Sequence, residues 1–365
     1  FNKINKFPKQ IDNEIKRNIS KVIKHNRFIM GPEVQELEAK LKGLIGAKFC
    51  LGVSSGTDAL LISLMALGVK KGDEIIVPSF SWISTASVIK LLDAKPIFID
   101  IENETCNIDI KKLSKAITKK TKGIIFTSLF GNVPDVDKIN KIAKNHKLFV
   151  IEDGAQSFGA KYKSGYSCNL TTIGCTSFFP SKPLGAYGDA GAIFTNNKNL
   201  FKKMRAIRIH GQIKRHKHDL LGLNGRIDTI QCAVLLAKIK CFKKDLNLRK
   251  KKYNYYKTFF LKNKFKNLSI VEYEKFGKSA FAQFCLLTKK RNFLIKKFKT
   301  NNIPYAIYYP KTMDQQKLFG LKNYNKNFIS INSSKQIISI PFSPYISKKE
   351  QDKVLNVFIK YKKYL

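Results

Sequence analysis

Lys182 lies in Cys175-Thr-Ser-Phe-Phe-Pro-Ser-Lys182-Pro-Leu-Gly-Ala-Tyr-Gly-Asp-Ala-Gly191, where a β-like run delivers one lysine into a glycine-flanked turn. Upstream, Leu148-Phe-Val-Ile-Glu-Asp153-Gly-Ala-Gln156 reads as an apolar strand that ends on an acid and then an amide. An amine at one strand end and a carboxylate at another suit pyridoxal 5'-phosphate (PLP). The amine can form a Schiff base, and the acid can keep the pyridine nitrogen protonated so that the ring acts as an electron sink. Asp153 could instead cap the following turn, a common use of aspartate. Burial would favour its neutral form, whereas a pyridinium partner would keep it ionised. Lys182 could be one more solvated lysine, but its motif argues against that.

Ser54-Ser55-Gly56-Thr57-Asp58 follows the strand candidate 49–54 and opens a helix over 59–67. Free backbone amides and the positive helix end make Gly56 and Thr57 an anion site, here for the PLP phosphate. By itself such a turn is more often a capped loop. Pro78-Ser-Phe-Ser-Trp82 carries the sole tryptophan just beyond another strand. A core position is the usual fate of Trp.

Strand-Glu152-Asp153-Gly-Ala-Gln156, Ser177-Phe-Phe-Pro-Ser-Lys182-x-Leu-Gly and Gly188-Asp-Ala-Gly191 resemble the PLP-dependent sugar aminotransferases of the DegT/DnrJ/EryC1/StrS family. The likeness runs from Ile29-Met-Gly-Pro-Glu-Val34 to Tyr309-Pro310. Within the family, Ser-Phe-Phe-Pro-Ser-Lys-Pro-Leu-Gly and Gly-x-Asn-Gly-Arg-x-Asp-Thr-x-Gln look closest to enzymes that aminate UDP-2-acetamido-2-deoxy-3-oxo-glucuronate. The resemblance implies Trp82 stacked on the pyridine ring, Gln156 on the ring hydroxyl, Ser177 on the phosphate, and Asn224 reaching the phosphate from a second subunit of a homodimer. It places Arg226, whose planar fork suits a sugar carboxylate, with Tyr308 and Tyr309 at the substrate end. Relatives often carry His where Tyr308 stands. L-glutamate is the implied donor, and a surface polysaccharide such as the lipopolysaccharide O-antigen the implied destination. A C4 aminotransferase for a UDP- or dTDP-linked 4-keto-6-deoxy sugar would share every catalytic residue named. A PLP sugar dehydratase would carry His in place of Lys182.

The elements that must hold these residues alternate. Strand candidates cover 49–54, 74–78, 96–101, 123–130, 148–153, 173–179 and 191–196, and helical periodicity covers 11–25, 34–44, 197–209 and 227–241. Seven largely apolar strands separated by helices describe an α/β fold with a mostly parallel sheet covered on both faces. From about Asp245 a long basic helix leads into a looser α+β region with strands at 281–287 and 305–309 and helices at 293–301 and 348–361. The expected division is 1–245 and 246–365, which the resemblance assigns to the aspartate-aminotransferase type (PLP fold type I).

The 365 residues can fill a large core, with 44% hydrophobic content. Sixty-eight Lys and Arg against 26 Asp and Glu give +42, a balance that raises nucleic acid as a partner. The basic residues are spread along the whole chain, with Lys, Asn, Ile, Phe and Tyr all abundant, as drift in an A+T-rich genome would produce. Intact Lys182, Asp153 and Ser177 argue for an enzyme and against a non-catalytic nucleic-acid binder. Seven cysteines without a CxxC pair suit reduced thiols in the cytoplasm, neither a disulfide frame nor a zinc site. His210, His216 and His218 tempt a metal reading, but no carboxylate or thiolate stands at ligand spacing. A surface loop against a neighbouring subunit is the expectation there. The start, from Phe1, lacks an apolar targeting core, and no apolar run approaches the ~20 residues of a membrane span.

Overall fold

The computed structural model describes residues 7–163, 165–320 and 328–365. The opening six residues, where no targeting core is expected, lie outside the described residues. Among those described, no helix is long and apolar enough to cross a membrane.

All seven strand candidates of the first region form one sheet. Its order is Phe49–Val53, Gly191–Thr195, Ile173–Ser177, Phe149–Asp153, Thr121–Thr127, Glu74–Pro78, Lys95–Ile99. The last five run parallel, while Gly191–Thr195 is antiparallel to both neighbours. Inner strands are apolar on both faces because helices cover both; all five residues of Glu74–Pro78 are buried. The register carries a functional consequence. Val53 pairs with Gly191 and Gly191 with Ser177, so three separate segments end in one row at one edge of the sheet. Asp153 pairs with Thr127 and Cys175 two strands away along that edge.

The helices end where their sequences say they should. Lys9–His25 stops at Asn26 in the left-handed region (φ 57), and Pro32–Ile45 begins on proline and stops at Gly46 (φ 74). Helix Lys348–Lys360 starts with a capping box, Ser347 Oγ accepting from the Glu350 amide and the Glu350 carboxylate accepting from the Ser347 amide.

The C-terminal region is α+β as expected. A three-stranded antiparallel sheet orders Leu268–Ile270, Phe284–Thr288 and Ile337–Ile340, with helices Arg291–Thr300 and Lys348–Lys360 nearby. Two expectations are corrected. The helix expected over 227–241 and the basic helix after Asp245 are a single helix of 35 residues, Thr229–Asn263. Its Cys232, Leu235, Leu236 and Phe242 pack in one core with Phe158, Phe178 and Phe194, whereas Tyr253, Tyr256 and Phe260 pack in another with Phe284, Leu286 and Phe358. Residue 245 lies between those two sets. The second correction concerns 305–309, which forms no strand: only Ala306 bridges Ser339, through amide-to-carbonyl bonds of 3.1 and 2.8 Å. After that bridge the chain turns Tyr309 toward Gln156 and Trp82.

Phe158 joins the long helix to the main sheet, its ring centroid 5.6 Å from Phe178, 5.9 Å from Phe194 and 5.6 Å from Phe242. Phe158→Ala is expected to cost about 3–5 kcal/mol of stability. Urea unfolding checks this, and a loss below about 1 kcal/mol would mean that the sheet and the helix do not depend on this cluster.

Candidate functional site

Every residue expected at the site follows a strand end on one edge of the main sheet or comes from the segments facing it. That edge is where open α/β sheets place ligands. Strand Phe149–Asp153 ends with two acids whose side chains point to opposite faces. Glu152 is fully buried and accepts from Ser128 Oγ and Ser167 Oγ at 2.6 Å each and from the Cys168 amide at 2.7 Å. It serves the structure. Asp153, 6% exposed, accepts from Thr85 Oγ1 at 2.7 Å and from the Ala155 amide at 3.2 Å. Burial pushes its carboxyl above the ordinary range, and the Thr85 and Ala155 bonds and the charge of Lys182 pull the other way.

Lys182 is half-buried in a loop closed by two backbone bonds, Lys182 N to Phe179 O at 2.9 Å and Ala186 N to Phe178 O at 2.7 Å. Burial lowers its ammonium pKa, and Asp153 opposes that shift. The acid and the amine from the two strand ends therefore feel each other. Each is disfavoured alone by desolvation and favoured by the other's charge.

Helix Gly56–Ala66 begins beside this pair. Ser55 caps it by accepting from the Asp58 amide at 3.0 Å, and Gly56 and Thr57 stand in the first turn, whose amides have no partner within a helix. A Cβ added to Gly56 would come within 2.8 Å of Ser177 Cβ, and one added to Gly191 within 2.6 Å of the Ser55 carbonyl carbon. Only glycine lets the three segments close into this concave wall of amides and a hydroxyl, which suits a phosphate. Thr57 Oγ1 also reaches Ser84 Oγ at 2.9 Å.

Trp82 is not a core aromatic: it is 57% exposed, with its ring centroid 5.8 Å from that of Tyr309. Gln156 uses both ends of its amide. Its Oε1 accepts from the Phe130 amide at 2.7 Å, and its Nε2 donates to the Tyr309 hydroxyl at 3.0 Å. Tyr308 lies against Tyr309, centroids 5.8 Å apart. Asn224 and Arg226 line a hollow with Ile29, Ser54, Asp189, Asp228 and Gln231, Arg226 bridging Val53 at the strand end. Asn224 is exposed; Arg226 is half-buried, and its Nε lacks a hydrogen-bond partner. His210, His216 and His218 belong to the segment around the hairpin of Gln212–Lys214 and Lys217–His218, and His218 Nδ1 lies 2.9 Å from the His210 carbonyl oxygen. Among the described residues no group of three or more His, Cys, Asp or Glu could hold a metal, and all seven cysteines are buried free thiols.

Sequence reading missed Thr85. It is the last link in a chain of hydroxyls, Thr127 to Ser81 at 2.8 Å and Ser81 to Thr85 at 3.2 Å, and donates to Asp153 at 2.7 Å. The only trace in sequence is the run Ser79-Phe-Ser-Trp-Ile-Ser-Thr85, unusually rich in hydroxyls after a strand. The site fits PLP: a phosphate wall, an exposed indole face, an acid held for the ring nitrogen and an amine within its field. Thr85→Val should weaken PLP binding roughly tenfold or more, because a hydrogen bond to a charged group contributes ~1.5–3 kcal/mol. Losing the donor raises the Asp153 pKa further, so the acid limb of PLP binding should move to higher pH. Titrating PLP affinity against pH checks both, and an unmoved limb would remove Thr85 from this role.

The profile of the DegT/DnrJ/EryC1/StrS aminotransferase family matches residues 9–358. The chain is 42% identical over 337 residues to the UDP-2-acetamido-2-deoxy-3-oxo-D-glucuronate aminotransferase of Pseudomonas aeruginosa, covering 92% of this chain and 93% of that one. It superposes on a DegT DnrJ EryC1 StrS aminotransferase from Brucella abortus with a TM-score of 0.92 at 33% identity, covering 96% of each chain. It also superposes on NtdA from Bacillus subtilis, solved with bound cofactor PMP, with a TM-score of 0.91 at 28% identity, covering 98% of this chain and 83% of that one. The chain therefore belongs to the DegT/DnrJ/EryC1/StrS aminotransferase family and is a PLP-dependent sugar-nucleotide aminotransferase.

Proposed function

We propose that the protein transfers the amino group of L-glutamate to C3 of UDP-2-acetamido-2-deoxy-3-oxo-D-glucuronate, giving 2-oxoglutarate and the 3-amino sugar for a surface polysaccharide such as the lipopolysaccharide O-antigen. The observation that carries the reading is the mutual electrostatic dependence of Asp153 and Lys182 at the sheet edge, beside the Gly56 and Ser177 wall. The substrate choice is supported by the nearly full-length likeness to the Pseudomonas aeruginosa enzyme. It is also supported by Arg226, whose partnerless Nε leaves a half-buried guanidinium able to take a sugar carboxylate.

When bound, PLP supplies an electrophilic carbon and a ring that accepts the electron pair released on deprotonation. Asp153, held by Thr85 and the Ala155 amide, would keep the proton on the ring nitrogen. Trp82 would cover the ring, the Gln156 amide would address the ring hydroxyl, and the Gly56 and Thr57 amides with Ser177 Oγ would hold the phosphate. Because burial lowers its pKa, the Lys182 amine is more readily neutral than a solvated lysine. The neutral Nζ would be the amine that holds the cofactor; once the amine of glutamate has displaced it, it would be the base placed to take the proton from Cα in the first half-reaction and, in the second, the acid that returns a proton to C3 of the sugar. Asn224 is exposed and lines a hollow with Arg226 and Ser54, which fits a homodimer in which Asn224 and Arg226 complete the neighbour's site.

Lys182→Ala should retain PLP poorly and lose both half-reactions; turnover at the unmodified rate would sink the role given to Lys182. The sugar is tested by running the reaction backwards. UDP-2-acetamido-3-amino-glucuronate should discharge the visible band of the PLP-loaded enzyme, whereas a UDP-4-amino-6-deoxy sugar should leave it intact. A response to the 4-amino sugar alone would overturn the substrate and leave the transaminase chemistry standing.

A further inference from the structure

Lys238 is 3% exposed, in the first half of the long helix Thr229–Asn263, and takes no part in the chemistry above. Its Nζ donates to the Gly185 carbonyl at 2.7 Å and stands 4.3 Å from the ring centroid of Phe7 and 4.4 Å from that of Tyr187. Among the described residues, no carboxylate lies within ion-pair distance of it. An ammonium buried without a counter-ion is costly, and two aromatic faces are the surroundings that best tolerate one. The titratable groups around it are few. Asp245 and the Cys241 thiol lie farther along its own helix, and Arg249 lines the same cavity but donates to the Phe281 and Ala282 carbonyls. Tyr345, from the C-terminal region, donates to Asp245 at 2.6 Å. Burial lowers the Lys238 pKa to about 8, with Cys241 and Asp245 opposing.

The carbonyl that Lys238 holds belongs to the loop of Lys182. A Cβ on Gly185 would stand 2.4 Å from the Pro180 carbonyl oxygen, so the loop closes tightly on itself at that point. Seven residues before Lys238, on the same face of the helix, the Gln231 Oε1 accepts from the Tyr187 amide at 2.9 Å. The long helix thus grips the segment just after Lys182 at two points, one of them a buried cation.

We propose that Lys238 is a positioning residue for Lys182: its ammonium, caged by Phe7 and Tyr187, fixes the Gly185 carbonyl and thereby the loop that presents the Lys182 amine to Asp153 and to PLP. This rests on Lys182 being the lysine that attaches the cofactor. Lys238→Met keeps the stem and removes the charge and the donor, whereas Lys238→Arg keeps both.

The test uses the full chain stripped of PLP and mixed with free PLP. It follows the growth of the visible band and, after borohydride, the mass of the peptide carrying Lys182. Lys238→Met should load about tenfold more slowly, as expected for a lost charge-assisted hydrogen bond. Its kcat should fall while KM for the sugar stays within about twofold, and Lys238→Arg should recover most of the loading rate. Loading of Lys238→Met at the unmodified rate overturns the proposal. Should that variant fail to fold, the Phe7→Ala/Tyr187→Ala double variant decides, because it opens the cage and leaves Lys238 in place. Slowed loading supports the proposal, and unchanged loading overturns it. Failure of the underlying reading would be separate: borohydride would then leave no PLP on Lys182 in the unmodified protein.

Discussion

A carboxylate and an amine, each taken out of water, are the pair on which this molecule depends. Asp153 is pushed toward its neutral form by burial and Lys182 toward its own, and the charge of each opposes the shift in the other. Neither group is suited to a protein interior unless something charged sits between or beside them. A protonated pyridine ring beside the acid, on a cofactor held by the amine, would meet both needs at once. The hydroxyl chain from Thr127 through Ser81 and Thr85 holds the acid in the orientation that this requires.

The main sheet does the rest by register. Because Val53, Gly191 and Ser177 fall in one row, the turn at Gly56, the glycine at 191 and the serine at 177 meet without any side chain in the way. Strand alternation sends Glu152 inward to two serines and a backbone amide while Asp153 faces the site, so adjacent acids have unrelated tasks. The Pro78 to Trp82 segment, beyond the strand end, contributes an indole whose exposure would be wasted on a core.

A chain of +42 leaves few of its cations inside, and the buried ones share a habit. Arg208 donates to the Gly52 carbonyl and to Glu38, both at 2.8 Å, just before the turn that forms the phosphate wall. Lys238 holds the Gly185 carbonyl beyond Lys182. Arg249 holds Phe281 and Ala282, and the Ala282 amide in turn donates to the carbonyl of Phe130, the residue that anchors Gln156. Long cationic side chains cross from one element to the backbone of another, Arg208 at a sheet strand and Lys238 and Arg249 at segments outside the strands.

Local pattern determined much of this protein. Apolar runs bounded by turns placed all seven strands of the main sheet, caps and glycines bounded the helices, and an acid and a lysine at strand ends, Asp153 and Lys182, pointed to PLP, whereas the parts expected of Gln156 and Ser177 came from the family resemblance. Pattern failed where structure depends on distant partners. Residues 305–309 have strand-like composition, but only Ala306 finds a ladder partner, so the run is a bridged turn. The helix Thr229–Asn263 looked like two because its composition changes where its burial passes from one core to the other. Trp82 could be read as core or site until a neighbour was known, and Gln156 proved to bond the Phe130 amide and the Tyr309 hydroxyl together. Thr85 and Lys238 carried no motif, being one threonine after a strand and one lysine among many. Their roles lie in contacts across 68 and 53 residues of chain. Periodicity and propensity act over a few residues, whereas a hydrogen bond between residues so far apart exists only once the sheet and the long helix have packed.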